Sequence, residues 1–336
     1  MKEALFYSAD ADKTVSCRLC NHHCRIKQGK RGICGVRENQ DGTLYTLVYG
    51  HLVSGNTDPI EKKPLFHFLP GTTSYSIATV GCNFRCEHCQ NYQISQYPHL
   101  SGGEISGNKR SPQQVIEAAL ASGSASISYT YVEPTIFYEF AYDCCTLAHK
   151  RGLKNAFVSN GYMTPEVTRH VAPVLDGINI DIKAFSDDFY KKICKARLQP
   201  VLDNVRLMHE LGVWVEVTTL LIPGLNDSTE ELQKLARFIK DIDPTIPWHV
   251  TAFYPTYKLT DRPPTPVETL RKARDIGLKE GLHFVYEGNI PGEGGENTYC
   301  PSCGTEIISR YGMQTRDIKI SGARCASCQE VVPGLW

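Results

Sequence analysis

The chain has no net charge to speak of: 36 Lys and Arg are balanced by 36 Asp and Glu over 336 residues. That balance gives no long-range pull toward a polyanion, so a nucleic-acid partner is not supported. No apolar run approaches the ~20 residues needed to span a bilayer, so no membrane role is expected. The opening Met1-Lys2-Glu3-Ala4-Leu5-Phe6-Tyr7-Ser8 leads into no long apolar core, so no secretory leader is expected and the expected location is cytoplasmic. Internal repeats and low-complexity tracts are missing, and so is a glycine-rich loop of the kind that cradles a flavin or nucleotide. The 41% hydrophobic and 21% charged content is ordinary for a soluble globular protein. The length suits one large α/β domain with small attachments.

Cysteine is what the chain has in excess, with 14 residues. In a reducing compartment structural disulfides are not expected. Eleven of the cysteines fall in three tight groups, which reads as metal ligation, while Cys144, Cys145 and Cys194 stand apart. The middle group is Cys82, Cys86 and Cys89, spaced C-x3-C-x2-C directly after the strand-like run Tyr75–Val80. Four cysteines are the rule for clusters that only carry electrons. Three thiolates would leave the fourth iron of a 4Fe-4S cluster open to another ligand. The alternative is a zinc site with a fourth ligand from elsewhere, His88 included.

The first group, Cys17, Cys20, Cys24 and Cys34, is spaced C-x2-C-x3-C-x9-C and can wrap one metal. Zinc or an auxiliary iron–sulfur cluster both fit that spacing, and structural zinc is the commoner use. The last group, Cys300, Cys303, Cys325 and Cys328, is spaced C-x2-C-x21-C-x2-C, close to a zinc ribbon. A segment this small has little core, so a metal would supply much of its folding energy. The expected organisation is a Cys-rich extension over 1–70, a catalytic domain over 71–290 and a four-cysteine segment over 291–336.

Between the outer groups, strands and helices alternate. Strands are expected at 75–80, 126–131, 155–158, 177–183, 213–221, 248–253 and 283–286. Helices are expected at 112–122 with Ser111 as N-cap, 136–150, 227–241 and 265–280. A further strand is expected at 44–50. Such alternation implies a parallel sheet with right-handed crossovers. In barrels of this kind, chemistry sits at the C-terminal ends of the strands.

Polar residues fall at those ends in order: Glu133 after the second strand, Asn160 after the third, Asp181 and Lys183 at the fourth, and His249 on the sixth. Each has a plain structural alternative. Glu133 could be an early-helix acid, Asn160 part of an Asn-Gly turn, Asp181 and Lys183 a salt bridge, and His249 a core histidine. In the fourth strand Ile178, Ile180 and Ile182 face one way and Asn179, Asp181 and Lys183 the other. Three polar side chains in a barrel lumen are costly without a polar ligand. Asn226 or Asp227 is expected to cap the helix after the fifth strand.

With these motifs the chain resembles the radical S-adenosylmethionine (SAM) superfamily. It is similar to the radical SAM component of the AmmeMemoRadiSam system, itself similar to pyruvate formate-lyase activating enzymes. The resemblance extends to the N-terminal cysteines, Asp58–Phe68, Tyr129–Thr135 and the ending Pro333-Gly334-Leu335-Trp336. It implies a partial (β/α)6 TIM-type barrel with SAM on the open iron of a 4Fe-4S cluster. SAM would be cleaved reductively to a 5′-deoxyadenosyl radical that takes a hydrogen atom from a substrate. It further implies His88 against the adenine and Glu133 at the SAM amino group. Asn160 would serve the ribose or carboxylate, Asp181 a ribose hydroxyl or Lys183, and Lys183 the SAM carboxylate; His249 could face SAM. A low-potential flavodoxin or ferredoxin is the implied donor, and activation of a glycyl-radical partner protein is one implied role. The competing reading, a non-enzymatic multi-zinc scaffold, leaves Asp181, Lys183 and the three-cysteine loop without a purpose. Cys194 is read as a buried, idle thiol. The lysines of Glu61-Lys62-Lys63 and His67 are read either as surface charges of an entry loop or as the border of a substrate opening.

Overall fold

The computed structural model describes residues 1–290 and 292–336; Pro291, the first residue of the expected C-terminal segment, lies outside them. Eight strands form the central sheet: β1 (Ser54–Pro59), β2 (Thr73–Ala78), β3 (Ser126–Tyr129), β4 (Lys154–Ser159), β5 (Gly177–Asp181), β6 (Trp214–Leu221), β7 (Trp248–Ala252) and β8 (Val285–Gly288). They lie side by side in chain order. Strands β2 to β8 are parallel, and β1 adds to β2 antiparallel. Strands buried on both faces, such as β3 and β7, have every residue in the interior, as expected for a covered parallel sheet.

From β2 onward one main helix returns each strand to the next: α1 (Pro112–Ala121), α2 (Tyr138–Lys150), α3 (Pro165–Val171), α4 (Gln199–Glu210), α5 (Thr229–Lys240) and α6 (Val267–Glu280). Ser111 and Gln114 exchange side chain to backbone bonds at the start of α1, a full capping box. Helix α5 buries Leu232, Leu235, Ala236 and Ile239 on one stripe, each worth ~1.5–3 kcal/mol if of Leu or Ile size. Its cap is Ser228, whose hydroxyl accepts from Glu231 N, and not Asn226 or Asp227 as the sequence suggests. Asn226 instead ties β5 to β6: its amide donates to the carbonyls of Lys183 and Leu220, and its oxygen accepts from Ile222 N.

The expected strands and helices appear with ends shifted by a few residues; the strand expected at 44–50 is shorter, at Thr43–Thr46. Within the central sheet and its helices, three elements were not expected. Helices α3 and α4 start at prolines behind irregular turns, and β1 is an edge strand of mostly polar, exposed residues with no apolar alternation.

The flanking segments are pinned to the sheet layer by buried charge. Arg37, in the N-terminal segment, pairs with Glu139 of α2 at 2.5 Å with both side chains almost fully buried. Arg310, in the C-terminal segment, donates to the carbonyl oxygens of Phe66 and Glu296 and to Thr298. Leu69 N donates to Leu335 O and Leu335 N to His67 O, so the last residues run along the entry loop.

Candidate active site

The C-terminal ends of the parallel strands border one cleft of ≈ 400 Å³. Eight of the nine residues expected to hold a cluster or SAM line it: Cys82, Cys86, Cys89, His88, Glu133, Asn160, Asp181 and Lys183. They come from four separate loops, and strand order alone brings them together.

The cysteine loop is held by its backbone. Gly81 N donates to Ile94 O, Arg85 N to Cys194 O, and Glu87 N to Ile193 O. Gly81 has φ +101°, and a Cβ there would lie 2.6 Å from Val36 Cγ1, so a side chain is excluded on both counts. Burial and the Glu133 carboxylate raise the Cys82 thiol well above its ordinary range, and burial raises Cys89. Cys86 goes the other way: a hydrogen bond from Cys194 and the nearby Lys183 charge lower it. Cys194 is buried, as expected, and it is the backbone of its turn that meets the cysteine loop, through Arg85 N to Cys194 O. Cys82 and Cys89 would shed protons on binding a metal.

Glu133 is 3% exposed and gathers the strand ends. It accepts from Thr135 N, Ser159 Oγ at 2.8 Å and Asn160 N at 2.7 Å. Burial raises its pKa against those bonds. Asn160 donates to Asn83 Oδ1 at 2.7 Å, joining the third-strand turn to the cysteine loop. Lys183 Nζ donates to Asp181 Oδ2 at 2.6 Å. Burial alone would favour neutral Lys183, but Asp181 and Cys86 hold it protonated. Burial and the Lys183 charge push His88 down to about 3, so its ring is neutral at physiological pH. His88 Nδ1 and Thr218 Oγ1 are buried without a partner, and both residues line the cleft. A polar ligand there would satisfy them. Thiols, a held ammonium and unpaired polar atoms around one cleft fit an iron–sulfur cluster with SAM.

His249 does not reach the cleft. It lies deeper on the same sheet face, its Nε2 2.7 Å from Glu216 Oε2, stacked on Tyr286 at 5.2 Å. Glu216, which sequence reading passed over, also accepts from Phe66 N at 2.9 Å, His67 N at 2.8 Å and Trp214 Nε1 at 3.0 Å. Burial works against its charge, but the His249 bond, the neighbouring imidazoles and the Phe66 N–H keep its pKa low. His67 is buried between Pro333 O and Tyr286 Oη, 2.8 and 2.6 Å away, so it is no surface charge. Lys63 is buried too, donating to Asp58 at 2.8 Å and Tyr131 at 3.2 Å, while Lys62 lines the cleft.

The three cysteine groups differ in spread. Among the described residues, only Cys300, Cys303, Cys325 and Cys328 bring their ligand atoms all within 4.8 Å of one another. Cys300 and Cys328 sulfurs are 3.6 Å apart, and those of Cys303 and Cys325 3.8 Å. A tetrahedral ion with ~2.3 Å metal–sulfur bonds needs sulfurs ~3.8 Å apart. The Cys82 group does not bring its three sulfurs all within that distance. Cys17, Cys20, Cys24 and Cys34 do not meet it either, although all four line one small cavity.

A family model described as the Radical SAM superfamily matches residues 76–239, the stretch from β2 to α5. The chain belongs to the radical SAM superfamily. It is 47% identical over 335 residues to an uncharacterized protein of Methanocaldococcus jannaschii, covering 99% of each. It is 25% identical over 222 residues to the pyruvate formate-lyase-activating enzyme of Clostridium pasteurianum, covering 62% of this chain and 89% of that one. Among solved structures, Streptococcus suis SuiB bound to precursor peptide SuiA is similar with TM-score 0.50 at 14% identity, covering 68% of this chain and 51% of that one. That likeness concerns the fold alone. No helix among the described residues is long and apolar enough to cross a membrane.

Proposed function

We propose that this chain reductively cleaves SAM at a 4Fe-4S cluster held by Cys82, Cys86 and Cys89, and uses the resulting radical on a substrate at the cleft. The observation that carries it is the convergence of those cysteines with Glu133, Asn160, Asp181 and Lys183 on one cleft at the strand ends. The open sheet is read as the wall of a partial (β/α)6 barrel, with β1 and β8 as its free edges. Bound there, cluster and SAM supply one-electron cleavage of a sulfonium.

The chain's own residues bind and orient. Lys183, kept charged by Asp181, meets a carboxylate. Glu133 offers Oε2, which accepts only Asn160 N, to an ammonium. Neutral His88 offers its unpaired Nδ1 and a flat ring to the adenine. Lys62 and Met313 line the same cleft from the entry loop and the C-terminal segment, and so limit access to it. A zinc ion is assigned to the compact C-terminal cysteines, and a low-potential flavodoxin or ferredoxin is the proposed electron donor.

A second reading, activation of a glycyl-radical protein, is favoured by the similarity to the Clostridium pasteurianum pyruvate formate-lyase-activating enzyme. The test begins with anaerobic reconstitution, then SAM and dithionite, and quantifies 5′-deoxyadenosine. We expect product from the wild type and none from Cys86→Ala. A well-formed cluster that yields no 5′-deoxyadenosine sinks the reading.

A further inference from the structure

We propose that the cleft holds a subsite for an anionic group of the substrate, a carboxylate or a phosphate, received by Lys62 beside the ring of Tyr131. The inference rests on the proposed SAM site, because it takes the other charges of the cleft as engaged there. Besides the cysteines, the charged side chains lining the cleft are Lys62, Glu133, Asp181 and Lys183. Lys183 is held by Asp181 and meets the SAM carboxylate, and Glu133 meets the SAM ammonium. Lys62 is the cation left over for a second ligand.

Lys62 belongs to a group with more positive than negative charge. Its ammonium donates to Asp58 Oδ1 at 2.7 Å, and that of Lys63 donates to Oδ2 at 2.8 Å. Tyr131 Oη donates to the same Oδ2. Among the described residues no other carboxylate lies within 4.0 Å of either ammonium, so one carboxylate serves two cations. Lys63 responds to this: burial and the Lys62 charge, against the pull of Asp58, bring its pKa down to about 8. Lys63 is fully buried, whereas the Lys62 side chain is 41% exposed and borders the cleft. When Lys62 turns to a ligand, Asp58 keeps Lys63 and Tyr131, so no buried charge is left unpaired. An anion at Lys62 restores one negative charge per ammonium and relieves the repulsion between the two lysines.

A second observation concerns the wall beside Lys62. Tyr131 follows β3 and has φ +65°, a left-handed conformation uncommon for an aromatic residue. Both its ends are tied: its carbonyl accepts from Asn91 Nδ2 at 2.9 Å, and its hydroxyl is held by Asp58. The ring centre is 4.5 Å from Lys63 Nζ and 5.7 Å from Lys62 Nζ. Lys62, Asn91 and Tyr131 all line the cleft. The strained backbone thus sets an aromatic face and a cation side by side where the entry loop meets the residues after Cys89. Strain of this kind persists where the surrounding structure over-determines it, and it gathers at ligand sites.

The test uses the reconstituted full chain with SAM present and the cluster left oxidised, so that no SAM is cleaved. Inorganic phosphate and acetate are titrated separately by isothermal calorimetry. We expect saturable binding of at least one of them; which of the two binds tighter tells which anion the substrate carries. Lys62→Met should weaken that binding ~10-fold or more, through loss of a charge-assisted bond. Lys62→Arg, which keeps the charge, should hold it within a few-fold. No binding of either anion to the wild type overturns the proposal. Equal binding by wild type and Lys62→Met also overturns it, since it marks an adventitious ion only. Formation of 5′-deoxyadenosine with dithionite is measured on the same wild-type preparation. If it fails while Lys62-dependent binding holds, the SAM reading alone fails; if it proceeds without such binding, the subsite alone fails.

Discussion

Lys183 carries the most chemistry per residue in the cleft. Its ammonium is 2.6 Å from Asp181 and borders Cys86, so it stays charged where burial would discharge it. A charge-assisted bond to a ligand carboxylate is worth ~1.5–3 kcal/mol. We therefore expect Lys183→Met to weaken SAM binding ~10- to 150-fold, measured by equilibrium dialysis on the reconstituted protein; an unchanged affinity would remove Lys183 from SAM recognition. His67 supports a different prediction. Burial lowers its pKa from the ordinary 6.5 to about 4. Between those values the unfolded chain binds the proton and the folded chain does not, so stability rises with pH across that window. The contribution is whole above 6.5 and is lost as pH falls toward 4, up to ~3 kcal/mol in all. His67→Gln should flatten urea-unfolding stability between pH 6.5 and 4; a slope equal to wild type would refute buried neutral His67 as its source.

At the scale of elements, Glu216 on β6 is the hub. One carboxylate receives two backbone N–H groups of the entry loop, the Trp214 indole and His249. Glu216→Gln keeps the size but turns an NH2 toward donors, leaving at least one buried N–H unpaired at ~1–3 kcal/mol. We expect a lower melting temperature and faster hydrogen exchange at the amides of Phe66 and His67. Unchanged exchange there would mean that the loop is held by the C-terminal residues instead. Strands and the longer helices were legible because their apolar spacing is local. Helix α3 was missed because it follows a turn that pairs with a distant segment, Thr164 N donating to Leu19 O, and α4 because it follows an irregular turn held by Asp187, which accepts from Leu198 N.

For the whole molecule, the two flanking segments act as clamps. The C-terminal segment reaches Glu61 through Thr315, Phe66 through Arg310 and the cleft through Met313. If a zinc ion closes Cys300, Cys303, Cys325 and Cys328, its removal releases that clamp, because so small a segment buries little apolar surface of its own. We expect Cys303→Ser/Cys328→Ser to raise hydrogen exchange across 298–336 and to add an early, low-temperature unfolding step. A single transition at the wild-type temperature would show that the clamp holds without metal.

Composition and local pattern were enough to set the α/β class, the cysteine groups and the polar residues at the strand ends. Those signals depend on chain neighbours: C-x3-C-x2-C is one loop, and Asp181 and Lys183 share a face because side chains in a strand alternate. What only the tertiary structure decided is depth and spread. His249 and Thr251 lie on one face of β7, yet only Thr251 reaches the cleft, while His249 is claimed by Glu216. The carbonyl of Cys194 accepts from Arg85 N of the cysteine loop across more than a hundred residues. Cys20 bridges to Met163 and the Cys34 carbonyl packs on Gly81, contacts that no spacing rule within residues 17–34 contains. Such contacts are set by how separate elements pack, and a pattern read along one chain does not encode the distance between elements.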